Sequence, residues 1–481
     1  MYKIKSLAGE TILYGLGSIL PRMLNFLLVV LHTSNVFSLA EYGVVTKLYA
    51  FVAFINVVFM FGMETAFFRF ANKPGADAKH IFNLAQTCVF LVSVPLSLLF
   101  IIFSNSIATS MEVAAHPEFI TWLTLVMLTD AVVAIPFARL RLEKKAFQFA
   151  IAKIMSVTIA LILNFYFLKI NYDPAINVGY VFLANLVANS FFIIFFLKTL
   201  LSWRLAYDPK ISPGMLKYAY PVMITGVAGM TNEMFSRLTL EWWLPDHFYN
   251  TLSKKDALGV FGACYKFAVL MNLGIQAFRY AAEPFFFSNA SDRNSPALFA
   301  KINHYFVITC CIVMLGISIN LDVLQLLIGK DFRAGINIVP ILLLAYLFLG
   351  VYYNFSVWFK LTDKTYYGTF ITLGGAIITV LGNYFLIPLA GYTGSSWAAL
   401  LCYTFMALSC YFLGQKQYPI PYQLVKGLGY IGFTLMLIYI IQTVSFSDQW
   451  MAITFHLIVM LCFIAAIYFI ERKEWDHSIR D

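Results

Sequence analysis

Six basic side chains, Arg22, Lys47, Lys153, Arg237, Lys266 and Arg279, sit inside otherwise apolar stretches of this 481-residue chain. Guanidinium forks form charge-assisted, often bidentate bonds to phosphate, and an ammonium supplies a compact point charge. Together they could replace the hydration of an anion crossing a membrane. A charge at mid-bilayer costs about 2.5–3.5 kcal/mol on insertion scales, so each must face protein, water or a partner. Spacing sorts their companions. Ser18, Arg22, Asn25 and His32 form one polar stripe at helical spacing, and Pro21 predicts a kink beside Arg22. Glu233, Arg237 and Glu241 follow i+4 steps, and Asn272, Gln276, Arg279 and Glu283 form a third stripe. Glu233–Arg237 and Arg279–Glu283 can each also be read as a pair that neutralises itself. Lys47 and Lys266 lie near the outer ends of their stretches, where a lysine can snorkel. Asp130 and Lys153 fall at about the same depth, roughly 12–14 Å, on antiparallel neighbours, which predicts a buried salt bridge. Asp130 and Glu233 are also candidate proton or sodium sites.

The elements that must position these residues are transmembrane helices. The chain is 61% hydrophobic and 12% charged, with a mean hydropathy of +0.78, outside the range of water-soluble domains. About fourteen apolar stretches, each near the 20 residues that cross a hydrocarbon core of about 30 Å, run from residue 10 to residue 470. With the N-terminus cytoplasmic, only Lys169, Lys254, Lys255, Lys330 and Arg333 among the loop cations fall on the outer face, so both termini are expected inside. The net charge of +9 follows from that bias and predicts no nucleic-acid partner. The basic prefix MYKIK leads into a run too long, and too interrupted by Arg22, to read as a cleaved leader. Seven scattered cysteines without a C-x-x-C pair read as small core residues, and no metal site or cofactor is expected.

No phosphate-loop, G-x-S-x-G or H-E-x-x-H motif is present. The chain is therefore expected to be no enzyme, and any transport must run on a gradient. A membrane glycan polymerase or ligase is the rival from another class. It would want a sizeable outer loop, whereas the longest, near residues 244–258, offers only Asp246, His247 and Asp256.

An offset of 216 pairs Gly43 with Gly259, Val44 with Val260, Tyr49 with Tyr265, Phe51 with Phe267, Asn56 with Asn272, Ala66 with Ala282 and Phe70 with Phe286. Two parallel six-helix lobes are expected, residues 1–206 and 207–414, followed by a linker and two further helices over 415–481. The segments LAEYGVVTKLYAFVAF and GMETAFFRF, with their later counterpart LGVFGACYKFAVLMNLGIQAFRYAAEPFFF, resemble the second and eighth helices of Wzx-type polysaccharide and O-antigen flippases. These belong to the multidrug/oligosaccharidyl-lipid/polysaccharide (MOP) superfamily. The resemblance implies an all-α polytopic fold with two pseudo-symmetric lobes around a central cavity, in a bacterial inner membrane. It implies alternating-access export of undecaprenyl-diphosphate-linked oligosaccharide, with membrane lipids and other polysaccharide-assembly proteins as partners. Arg22, Lys47, Arg237, Lys266 and Arg279 would then line a cationic cavity, and Asn25, Asn56, Asn272 and Gln276 would hold sugars. A cation-coupled drug or metabolite antiporter of the same fold is the alternative. It would favour an acidic cavity.

Overall fold

The computed structural model describes residues 2–34, 36–289, 294–444, 446 and 448–478; within these, side chains are described from residue 17 to residue 472, and those of Ser18, Pro284 and Ser288 lie outside the described set. Among the described residues, all regular structure is helical. The principal helices are α1 (Tyr2–Thr33), α2 (Leu39–Met60, continued by Met63–Ala71), α3 (Ala78–Ile102), α4 (Pro117–Leu142), α5 (Ala146–Phe165), α6 (Gly179–Phe195), α7 (Ser212–Trp243), α8 (Lys254–Ser288), α9 (Ser295–Ile319) and α10 (Val339–Phe355). They are followed by α11 (366–390), α12 (392–417), α13 (Leu424–Gln442) and α14 (Gln449–Ser478). Among the described residues, ten helical segments are long and apolar enough to cross a membrane. Ile19–Thr33, Gly179–Phe195, α7 and the division of 366–417 at Gly391 bring the described spans to the expected fourteen.

Local chemistry sets the boundaries. Ser38 and Glu41 cap the start of α2 reciprocally: the Ser38 backbone N–H donates to Glu41 at 2.7 Å, and the Glu41 N–H donates to the Ser38 hydroxyl at 3.3 Å. The break between α11 and α12 rests on Gly391, whose φ of 59° favours glycine and whose missing Cβ makes room for Tyr249. The Tyr392 N–H then donates to the Tyr249 hydroxyl at 3.2 Å. Helix α1 runs through Pro21 as one element; the proline is accommodated within it.

Packing divides the chain into two units. The first comprises Met1–Ala263 and Thr369–Cys402, and the second Cys264–Gly368 and Tyr403–Asp481. In the first unit, Val133, Phe137, Leu140, Phe149, Phe192 and Phe196 form a core where α4, α5 and α6 converge, and α7 packs along α2. In the second, Ala282, Phe286, Phe299, Ala300, Val357 and Ile420 make the corresponding cluster, and α13 and α14 pack against α9. Leu91, Ile102, Ile194, Leu389, Tyr439 and Phe469 point outward, each more than half exposed. In lipid such faces cost nothing, and helix association relies on close packing and interhelical hydrogen bonds. The chain is a multi-pass membrane protein.

Candidate functional site

In the first unit, charge gathers at two ends of α2. Toward its C-terminal end, Arg22 on α1, Glu64 on the Met63–Ala71 segment, and Asp130 and Arg141 on α4 lie within electrostatic reach of Lys153 on α5, three cations and two carboxylates in all. Arg22 and Asn25 are exposed on α1. Arg141 is bonded to Glu64. The salt bridge expected between Asp130 and Lys153 takes a looser form. Asp130 accepts hydrogen bonds from the side-chain amides of Asn189 at 3.0 Å and Asn56 at 3.4 Å. The Lys153 ammonium lies over the rings of Phe137 and Phe192, 4.2 and 4.8 Å from their centroids. Cation–π contact and amide donors thus do by two routes what a direct pair would do by one. The buried Asn56 side-chain oxygen has no hydrogen-bond partner among the described residues.

Near the start of α2, Lys47 does not snorkel. Its side chain is 2% exposed and donates to Glu241 of α7 at 2.5 Å, with Glu112 at 3.9 Å. Lys255 approaches the same Glu112 at 3.5 Å. Beside this pair α2 and the start of α8 touch without side chains between them. A Cβ on Gly259 would collide with the Leu39 carbonyl and lie 3.3 Å from the Gly43 nitrogen, and one on Gly43 would collide with the Lys255 carbonyl. A Cβ on Gly262 would meet Thr46. Positions 43 and 259, and 46 and 262, are the ones the 216-residue offset pairs. Gly259→Ala is therefore expected to destabilise the fold by about 1–3 kcal/mol, because the obstacle is backbone and cannot rotate aside. Thermal unfolding in detergent measures it, and an unchanged midpoint would count against the close approach.

Arg237 is buried at 9% exposure. It bonds to the backbone carbonyl of Glu233 at 3.4 Å and to the Met234 sulfur, so the i+4 relation to Glu233 runs through the main chain. One turn earlier, Asn232 donates to the Thr372 carbonyl at 3.3 Å and accepts from the Thr379 hydroxyl at 3.4 Å, while Asn383 donates to the Thr379 carbonyl at 2.8 Å. Sequence reasoning passes over this buried polar seam between α7 and α11. The available signal is the run of short polar residues 372, 379 and 383 at helical spacing.

In the second unit Lys266 is exposed, and Asn272 is buried and accepts from Gln276 at 3.3 Å. Arg279 donates to Glu283 at 2.8 Å and lies over Tyr353, 4.7 Å from the centroid. Lys360 donates to the same carboxylate at 2.7 Å. Two cations therefore share one carboxylate. In the sequence Lys360 reads only as a cytoplasmic loop cation. The cleft that Arg279 and Tyr353 line measures about 10 Å³, room for no more than about one water.

The acids of the loop near residues 244–258 are occupied structurally. Asp246 pairs with Lys254 at 2.8 Å, and that ammonium holds its carboxyl below the usual range. Asp256 and Ser253 cap the start of α8 reciprocally. No group of three or more His, Cys, Asp or Glu among the described residues could hold a metal ion.

Comparison with known proteins adds to this geometry. Three solved structures share the fold. The lipid II flippase MurJ in an inward closed conformation aligns with a TM-score of 0.74 at 16% identity, covering 95% of this chain and 99% of that one. The MATE multidrug transporter DinF-BH gives 0.62 at 14% identity, covering 86% and 96%. An inward-facing multidrug resistance MATE transporter of the MOP superfamily gives 0.59 at 14% identity, covering 91% and 96%. No curated protein matches the sequence. Residues 36–294, more than half of the chain, match the family of polysaccharide biosynthesis proteins, so this chain belongs to that family, built on the fold of the MOP superfamily.

Proposed function

We propose that this protein is a secondary transporter, a flippase that moves undecaprenyl-diphosphate-linked oligosaccharide from the cytoplasmic to the periplasmic leaflet for cell-surface polysaccharide synthesis. The observation that carries the reading is the excess of cations over carboxylates where charged side chains group within the spans and at their ends. Arg22, Arg141 and Lys153 lie within electrostatic reach of one another alongside Glu64 and Asp130, and Arg279 and Lys360 share Glu283. A diphosphate leaving water needs such groups, and guanidinium forks replace lost hydration with directed bonds. Membership of a polysaccharide biosynthesis family and a fold shared with a lipid II flippase support the same cargo class.

In this scheme Arg22, Arg237, Lys266 and Arg279 contact the diphosphate, and Asn25, Asn56, Asn272 and Gln276 contact sugars. Lys47 closes the outer end through Glu241 and joins the cationic path when that pair parts. The two lobes, 1–206 and 207–414, alternate about the Gly43–Gly259 approach, with both termini in the cytoplasm of a bacterial inner membrane. Asp130, held by two amides, and Glu233 are the sites for a coupling ion. The fold shared with multidrug transporters keeps one second reading, a cation-coupled antiporter.

The test is translocation of a fluorescent polyprenyl-diphosphate oligosaccharide in proteoliposomes. Arg22→Ala and Arg237→Ala are each expected to slow it at least tenfold at equal reconstitution. Wild-type rates in both variants sink the cationic path. Gradient-driven extrusion of a cationic dye, with no lipid translocation, establishes the antiporter instead.

A further inference from the structure

The second unit holds a titratable cluster that the proposed path does not use. Glu471, on the terminal helix α14, is 0% exposed, and His304, on α9, is 3% exposed. One Glu471 oxygen, Oε1, lies 3.0 Å from His304 Nε2 and accepts from the Tyr430 hydroxyl of α13 at 2.6 Å. Glu471 Oε2 and His304 Nδ1 are buried with no hydrogen-bond partner among the described residues. The cluster thus joins the two helices beyond the internal repeat to α9.

Charge accounting says what such a pair can hold. With one proton between them, Glu471 and His304 carry no net charge, whether as carboxylate and imidazolium or as carboxylic acid and imidazole. With none or two, a net charge sits where no water reaches, which is costly unless it is paired. Glu471 stands one residue before the end of the apolar span Gln449–Arg472, so opening there admits water, in which a glutamate and a histidine ordinarily titrate near 4.3 and 6.5. Above about pH 6.5 they then hold no proton between them. Bringing α14 onto α9 must therefore draw one proton from solution.

We propose that Glu471, His304 and Tyr430 form a proton-binding site in which a single shared proton is taken up when the terminal helix docks and released when it leaves. By linkage, the docked-to-open ratio falls about tenfold for each pH unit above roughly 6.5. Between about 4.3 and 6.5 the open state also holds one proton, on His304, and the dependence vanishes. Below that range the open state holds two and docking weakens again. Acid-side and alkaline limbs enclose a plateau.

Other charges nearby do not mimic this. Among the described side chains within one turn, Lys301 and Tyr305 on α9, Lys426 on α13 and Arg472 on α14 are of kinds that ordinarily titrate well above that range, as are Tyr346, Tyr352 and Tyr353 on α10, which packs on α9. They set the absolute stability of docking and leave its slope alone. His456, on α14, lies 3.9 Å from Asp322. Its contribution is common to the wild type and to a Glu471 variant, so their difference reports Glu471.

The proposal stands apart from the transport reading, because its test uses no cargo. Amide hydrogen exchange of α13 and α14, in nanodiscs across pH 5–9 and corrected for intrinsic exchange, measures even rare opening. In the wild type the opening ratio is expected to rise about tenfold more per pH unit above 6.5 than in Glu471→Gln. Tyr430→Phe, which removes a hydroxyl and no titrating proton, keeps the wild-type slope at weaker protection. Equal slopes in the wild type and Glu471→Gln overturn the proposal, as does a slope lost in Tyr430→Phe. Should Glu471→Gln fail to fold, a wild type whose corrected protection does not change with pH overturns it equally.

Discussion

Glu241→Ala is expected to cost about 3–5 kcal/mol of stability, because it strands the Lys47 ammonium at 2% exposure with its 2.5 Å partner gone. Glu112, at 3.9 Å and about half exposed, is too distant and too well hydrated to compensate. Lys47→Ala should cost a similar amount, since it leaves a carboxylate at 3% exposure that already has one oxygen without a partner. Replacing both by methionine removes two desolvation penalties at once, so the double variant should recover most or all of the wild-type stability. Unfolding temperatures of the four proteins in one detergent decide it. Single variants that unfold with the wild type would show that the pair is open to water in solution. A double variant as unstable as the singles would show that packing volume, not charge, is at stake.

Arg279→Ala should separate function from stability. Glu283 keeps Lys360 at 2.7 Å when the guanidinium is gone, and Arg279 is 42% exposed, so the loss of stability should stay within about 1 kcal/mol. Translocation, in contrast, is expected to fall at least about a hundredfold, or roughly 2.7 kcal/mol, since a fork that could grip a diphosphate is missing. Arg279→Lys returns the charge without the fork and should recover only part of the rate. Translocation and unfolding measured on the same preparation give the answer. Parallel losses in both would make Arg279 a structural brace over Tyr353.

The two experiments address residues that look alike along the chain. Lys47 and Arg279 are both basic residues in apolar helices, and each has a glutamate partner. For Arg279 the partner is visible four residues on, because helical periodicity relates neighbours on one helix. For Lys47 the partner lies 194 residues away on α7, a relation that no local pattern carries. Snorkelling is the natural reading for a lysine near a helix end, and only the packing of α2 on α7 replaces it. Arg237 points the same way: its neighbours Glu233 and Glu241 are both visible from the sequence, yet its bond runs to the Glu233 backbone while Glu241 goes to Lys47.

Hydropathy, helix number and the break near Gly391 could be read from residue types and intervals alone, whereas the 216-residue offset pairs Gly43 with Gly259 without saying that the two meet. The first three are properties of short segments, and the bilayer enforces them by penalising unpaired backbone and misplaced charge. Which carboxylate neutralises which cation could not be read. Lys360 sharing Glu283, Asp130 taking two amides rather than Lys153, and Glu471 reaching His304 depend on how helices rotate against one another. That rotation is a compromise over whole helix faces, so a few kilocalories of packing distributed among many residues decide where each buried charge finds its partner.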